Sequence, residues 1–134
     1  MDDNKVFYDN NNAEQPQVVA QPAKTYKMIA FRGKVVFPGQ AVHFDLVRDK
    51  SYAAIMQAVE AGESVFLVAQ KRATMVNPAP QDIYRVGVIA TIKQAQRLPG
   101  DAMRVVFIAG RRMQIDSYVS LNPYFEVTLK EYEN

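Results

Sequence analysis

Apolar and polar residues alternate along most of this chain with a period of two, the spacing that sends successive side chains to opposite faces of a pleated strand. Lys27-Met28-Ile29-Ala30-Phe31 reads as a first strand. Ala41-Val42-His43-Phe44-Asp45-Leu46 reads as a second, with Val42, Phe44 and Leu46 on one face and His43 and Asp45 on the other. Ser64-Val65-Phe66-Leu67-Val68-Ala69 is a nearly continuous apolar strand that Gln70-Lys71-Arg72 ends in solvent. The longest signal runs from Tyr84 to Leu98, with Val86, Val88, Ala90 and Ile92 on one face. That is long for one strand, so a bend or bulge is expected at Gly87 or near Gln94. Leu98-Pro99-Gly100-Asp101 supplies a hairpin turn, Met103 to Ala109 the return strand, and Gly110 a break. Met113, Ile115, Ser117 and Val119 alternate again, and Phe125, Val127 and Leu129 mark a last strand after Asn122-Pro123.

The period changes once. Over residues 50–61, Tyr52, Ile55, Met56 and Val59 fall at i, i+3, i+4 and i+7, an apolar helix stripe expected to be core, and four alanines add helix propensity. Asp49 or Ser51 can cap its start, and Gly62 follows its end. Six or seven strands around one helix predict a mainly β (α+β) fold, a small closed or nearly closed barrel of about six strands. Closure would remove edges that strands this apolar would otherwise expose.

Two stretches break the periodicity. Phe31-Arg32-Gly33-Lys34-Val35-Val36-Phe37-Pro38-Gly39 sets an apolar run between two glycines and a proline, and predicts a buried or docked turn that locks the first two strands together. Residues 73–82 carry Pro78 and Pro80 two apart, which rules out a regular helix or central strand and leaves a loop bearing the apolar side chains of Met75 and Val76. Residues 1–25 hold few apolar residues beside an Asn run and two prolines, a composition that predicts a mobile tail before a domain over residues 26–134.

Composition narrows the chemistry. A chain of 134 residues suffices for one domain with a real core. Sixteen basic residues against fourteen acidic leave a net charge of +2, too little to drive nucleic-acid binding by counterion release. The absence of cysteine excludes disulfides, thiolate zinc sites and thiol nucleophiles. His43 is the one histidine and lacks partners for a metal site. No apolar run approaches the roughly 20 residues of a membrane span, and the chain reads as soluble and cytoplasmic.

No phosphate loop is present either. Gly33-Lys34 is followed by Val35 and lacks the upstream glycine, so both the backbone cradle and the Mg²⁺-binding hydroxyl are missing. Ser51 adjoins Lys50, but neighbours on a helix point to different faces, so no serine-lysine catalytic pair results. No catalytic residue, metal ligand or cofactor is therefore assigned.

Six ordered blocks together resemble the N-terminal domain of the ATP-dependent Lon proteases: the Phe31 to Gly39 stretch, Val47-Arg48-Asp49-Lys50-Ser51, Val65 to Lys71, Tyr84 to Ala90, Arg97-Leu98-Pro99-Gly100, and Ala109-Gly110-Arg111-Arg112. The set spans roughly residues 27–131 and is far more specific than any one block. The chain departs from the family pattern at Ile29-Ala30-Phe31, where Leu-Pro-Leu is usual, and at His43-Phe44, where Pro-Leu is common.

The resemblance implies a PUA-like barrel that recognises unfolded or degron-bearing protein and helps organise a homo-oligomeric ring. It also implies that a helical linker, the ATPase with its ATP and Mg²⁺, and the protease lie C-terminal to it. Arg32, Gly33, Pro38, Gly39, Gly87, Pro99, Gly100 and Gly110 form the structural signature. An unfolded client offers apolar side chains and backbone, so its receptor needs an exposed apolar patch with a charged rim. The candidates are Phe37 and Pro38 in the turn, Met75, Val76, Pro78 and Pro80 in the loop, and Arg48, Asp49 and Lys50 at the helix start. Against that role, Phe37 is expected in the core, Met75 and Val76 in rim packing, and the charges in a solvated helix end. Two other readings stay open: a stand-alone oligomerisation or adaptor module, and an RNA-binding module using Lys71-Arg72, Arg97 and Arg111-Arg112.

Overall fold

The structure, a computed structural model, describes residues 24–32, 36–47 and 50–132. The tail expected over residues 1–25 lies outside the described residues except for its last two. In chain order the elements are β1 (Thr25–Phe31), β2 (Ala41–Val47), α1 (Lys50–Ala61), β3 (Val65–Ala69), β4 (Val86–Leu98), β5 (Ala102–Ser120) and β6 (Glu126–Glu131), with one 3-10 turn at Pro80–Asp82. The mainly β, one-helix, six-strand expectation is met.

The strands pair in the order β2-β5-β4-β3-β1-β6, and β6 pairs back onto β5. The circuit β5-β4-β3-β1-β6 is therefore closed, and β2 lies outside it along the first half of β5. β1 runs parallel to β3 and antiparallel to β6. The expectation that residues 31–39 join β1 to a neighbouring β2 is thus corrected, since β2 pairs with β5. The turn instead carries the chain away from β1 and docks on β5. Gly39 N donates to the Ala109 carbonyl at 2.8 Å, and Ala109 N donates to the Gln40 carbonyl at 2.8 Å. Of the predicted turn, Gly33, Lys34 and Val35 lie outside the described residues. Val36 is buried, but Phe37 is 57% exposed, which corrects its expected place in the core. Two backbone bonds and the Phe37 N–H donated to Gln40 Oε1 at 2.9 Å hold the turn, so burial of Phe37 is not needed to fix it.

A second correction concerns Gly110. β5 runs unbroken through it for 19 residues. A Cβ at Gly110 would lie 3.0 Å from the Ile89 carbonyl oxygen, so the missing side chain answers a close approach by β4. The register shifts opposite, between Val88 and Ala90, and again between Ile92 and Gln94. The second shift falls where a bulge was expected, and the first lies just beyond Gly87. At Gly87 a Cβ would overlap the Leu67 carbonyl oxygen and approach Phe66 Cζ to 2.8 Å.

Two apolar clusters occupy the two faces of the sheet. β3 contributes Val65 and Leu67 to one and Phe66 and Val68 to the other, which explains its continuous apolar run. The first cluster also takes α1, by a face that keeps Tyr52 and Ile55 of the expected stripe but not Met56 and Val59. Ser51, Tyr52, Ala54, Ile55 and Ala58 are buried, whereas Met56 and Val59 are 36% and 48% exposed. The helix carries two overlapping apolar stripes. Small side chains at Ala54 and Ala58 let its backbone come closer to a sheet already filled by Ile29, Phe31 and Leu67, and that stripe goes inward. The far end of the helix is tied to β1 by Lys27 Nζ, which donates to Glu63 Oε1 at 2.6 Å.

Substituting Gly87→Ala should cost about 1–3 kcal/mol through overpacking, read in a thermal melt as a Tm fall of roughly 4–8 °C for each kcal/mol. On α1, Ala58→Leu should cost a similar amount, whereas Met56→Lys should stay within about 0.5 kcal/mol of the parent in urea denaturation.

Candidate functional site

Where β1 ends, the chain has no partner strand on the β2 side, and a groove of about 670 Å³ opens there. Its wall on one side is the outer run of β2, from which four consecutive residues, His43, Phe44, Asp45 and Leu46, reach it. Successive side chains of a strand point to opposite faces, so four in a row mean that the groove takes in both faces of the strand at its unpaired edge. The opposite wall is residues 76–80, and Leu121 and Asn122 close one end beside Lys50 and Ser51 at the start of α1.

The floor is aromatic. Phe31 stacks on Phe44 with centroids 5.1 Å apart, and Phe44 tilts against Phe107 of the core at 5.8 Å. Phe125 meets Tyr118 edge-on at 5.7 Å, and the Lys50 ammonium sits 4.4 Å from the Phe125 ring centre. Such ring pairs each add about 0.5–1.5 kcal/mol beyond area burial, which makes the floor rigid.

The loop wall is fastened by polar bonds. Gln70 Nε2 donates to the Met75 carbonyl at 2.9 Å and to the Arg72 carbonyl at 3.1 Å. Arg32 Nη1 donates to the Ala73 carbonyl at 3.2 Å. Asp82 Oδ2 accepts from Ala79 N at 2.9 Å, and Lys71 N donates to the Asp82 carbonyl at 2.7 Å. Pro78 and Pro80 stiffen the same segment and present apolar rings without a donor. Val76 projects from it 70% exposed. At the opposite end, Lys50 Nζ donates to the Leu121 carbonyl at 2.6 Å.

Of the residues singled out from sequence for client contact, Lys50, Val76, Pro78 and Pro80 line the groove. Met75 is half-buried and does not line the groove, and its carbonyl accepts from Gln70. Phe37 and Pro38 are exposed but do not line it, and Arg48 and Asp49 lie outside the described residues. Arg32, read from sequence as a structural signature, lines the groove and also anchors its loop wall. Sequence reasoning passed over His43, Phe44, Asp45, Leu121 and Phe125 as site residues, because each fits a strand or its flank and nothing local sets it apart. Among the described residues no three His, Asp or Glu side chains gather to hold a metal ion, and no helix is long and apolar enough to cross a membrane. Arg111, one of the charges considered for RNA, is held by Glu131 at 3.0 and 3.2 Å.

The fold and the groove define a small β domain with one covering helix and a cleft of mixed polar and apolar lining over an aromatic floor. This chain belongs to the family of ATP-dependent protease La (LON) substrate-binding domains, whose profile matches residues 25–134. It is 41% identical over 114 residues to the Lon protease of Clostridium acetobutylicum, covering 85% of this chain and 15% of that protein. With the Lon protease of Lachnoclostridium phytofermentans the identity is 42% over 106 residues, 79% of this chain and 13% of the relative. The chain thus spans about a seventh of the length of these curated relatives. Its fold is shared with the N-terminal domain of Mycobacterium avium complex Lon protease, at TM-score 0.62 and 24% identity over 83% of this chain and 56% of that one. A Lon N-terminal domain protein from Xanthomonas campestris superposes at TM-score 0.61 with 10% identity, over 82% of this chain and 60% of that one.

Tyr118, beneath the floor, has a buried Oη with no hydrogen-bond partner among the described protein groups. Burial raises its pKa above the ordinary 10.0, and the nearby Arg85 charge opposes the rise. The folded chain therefore keeps this proton at pH values where the unfolded chain releases it, so stability is fully present below the unfolded pKa and is lost as pH rises through the folded one. Tyr118→Phe keeps the ring contact and removes the unpaired hydroxyl. It should stabilise by about 1 kcal/mol at neutral pH and flatten the alkaline decline, measured by urea titrations at neutral and alkaline pH.

Proposed function

We propose that the groove receives extended segments of unfolded or degron-bearing client proteins, and that this domain is the non-catalytic recognition module of an ATP-dependent Lon protease. The observation that carries the reading is an aromatic floor between strapped walls, in a chain of the Lon substrate-binding family. Its volume falls within the roughly 300–1,000 Å³ usual for ligand clefts. An extended chain lying along β2 would press side chains onto exposed Val76, onto Pro78 and Pro80, and onto the accessible edges of Phe31, Phe44 and Phe125, gaining about 25 cal/mol for each Å² of apolar area buried. Against this stands the conformational entropy the client loses. Preformed walls add little ordering cost on the receptor side. The result is weak, reversible capture suited to many sequences, since burial is non-directional and proline rings make few geometric demands.

In this reading ATP, Mg²⁺ and peptide hydrolysis belong to other modules of a larger cytoplasmic enzyme, and this domain supplies the grip. A homo-oligomeric parent is part of the same proposal. Exposed Met56 and Val59 on α1, beside a depression of about 290 Å³ lined by Tyr52, Met56, Pro123 and Tyr124, support self-association through the helix face.

The test is an NMR titration of the ¹⁵N-labelled chain with a reduced, alkylated protein that stays unfolded, compared with the same protein folded. Groove resonances should move with the unfolded form alone, unchanged by ATP and Mg²⁺. Val76→Ser should weaken binding up to about tenfold, the equivalent of one exposed Val side chain becoming buried. An equal response to the folded form would remove the client-recognition reading. Sedimentation across a concentration range, with Met56→Lys as the comparison, reads self-association separately.

A further inference from the structure

We infer that the groove selects client segments in which an acidic side chain lies next to large apolar ones, an inference that rests on the proposed role of the groove. The observation is an imbalance of charge around the aromatic floor of a cleft with mixed polar and apolar lining. Three charged carboxylate or cationic side chains line it among the described residues: Arg32, Lys50 and Asp45. Asp45 is occupied by Arg104, whose Nε and Nη2 donate to its two oxygens at 2.8 and 3.0 Å. This fork-to-fork pairing offsets its charge with a cation that is not part of the lining.

The two cations are held differently. Arg32 donates to the Ala73 carbonyl and Lys50 to the Leu121 carbonyl, with the Phe125 ring under the ammonium. Among the described residues neither meets a carboxylate within ion-pair distance. Carbonyls and a ring face orient a cation without cancelling its charge. Each side chain also has more donors than these contacts use, five N–H on a guanidinium and three on an ammonium. Two oriented positive charges, neither paired with a carboxylate among the described residues, thus stand at the margins of an aromatic floor.

A client that fills the floor with apolar side chains displaces water from that margin and lowers the local dielectric, so a carboxylate arriving with it gains more there than at an open surface. An amide in its place gains hydrogen bonds but no charge pairing, and a lysine meets repulsion. The predicted occupant is an extended peptide with an internal Asp or Glu flanking an apolar core. A plain hydrophobic segment would bind less well, and a basic one worse still.

The experiment uses the full 134-residue chain and short acetylated, amidated peptides sharing a Leu-Phe-Val core and differing only in one flanking residue, Glu, Gln or Lys. NMR titrations of the ¹⁵N-labelled chain give affinity and location together. The Glu peptide should bind about two- to fivefold tighter than the Gln peptide, with Lys weakest, and the spread should shrink as salt rises. The double substitution Arg32→Gln and Lys50→Gln should bring the Glu-to-Gln ratio close to one, and Arg32→Lys with Lys50→Arg should keep it. Because the preference is first read from the peptides on the unaltered chain, it does not depend on any variant folding. Equal binding of Glu and Gln peptides at the groove would overturn the charge selection and leave the receptor role standing. No shift with any peptide would overturn both. A Gln peptide with a free C-terminal carboxylate outbinding the Glu peptide would overturn the assignment to an internal side chain.

Discussion

One strand has to pair on both of its edges with three partners, and the rest of the domain follows from that. β5 takes β4 along one edge, and along the other it takes β2 over its first half and β6 over its second. A flat strand of 19 residues could not serve partners that curve away from each other. The register shifts beside Ile89 and between Ile92 and Gln94 supply the bend, and Gly110 leaves room where β4 crowds in. Closure through β6 removes the edges of five strands, and β2 is left to form a wall of its own.

The groove is a consequence of that arrangement. β2 is held at a distance from β1 because it follows β5 instead, and the space between is bridged by the stacked rings of Phe31 and Phe44. Phe107 of β5 backs Phe44, and Tyr118 of β5 backs Phe125, so the floor rests on the same strand that closes the sheet. The docked turn at Gly39 and Gln40 bonds to β5 at Ala109 and fixes where β2 begins. Stability and site geometry are thus carried by shared residues. The stiff loop wall is tied within itself by Gln70 and Asp82 and to the end of β1 by Arg32.

For the proposed role this division has a use. Unfolded clients share chemistry but no sequence, so a receptor for them gains from a surface already in place, with apolar rings to bury side chains and little ordering left to do. Charges at the margin then tune a preference without imposing a motif, because a surface or rim ion pair contributes only about 0–1 kcal/mol. An aromatic floor with two oriented cations fits a reader of composition better than a reader of sequence.

Local pattern was enough for the elements themselves. The period of two marked most strands and a continuous apolar run marked β3, Pro78 and Pro80 marked the loop, and Leu98-Pro99-Gly100-Asp101 marked the hairpin, since these depend on neighbours within a few residues. Six ordered blocks likewise pointed to the family. Where two local answers were equally good, the chain alone could not choose. The α1 residues carry two apolar stripes, and the one with Ala54 and Ala58 turned inward because the sheet beneath already holds large side chains. Gly110 read as a break because glycine's local meaning is freedom, whereas its role is to admit the Ile89 carbonyl of another strand. Lys50, Val76, Pro78 and Pro80 were visible as candidates because exposed apolar and charged residues in irregular segments stand out. Phe44, Phe125 and Arg32 were not, since their meeting depends on β2 pairing with β5 and not with β1. Sequence by itself determined which stretches become strands, helix and turns, through periodicity and backbone preference. Only tertiary structure decided which faces turn inward and where a cleft remains, because those follow from long-range pairing and the space that larger neighbours leave.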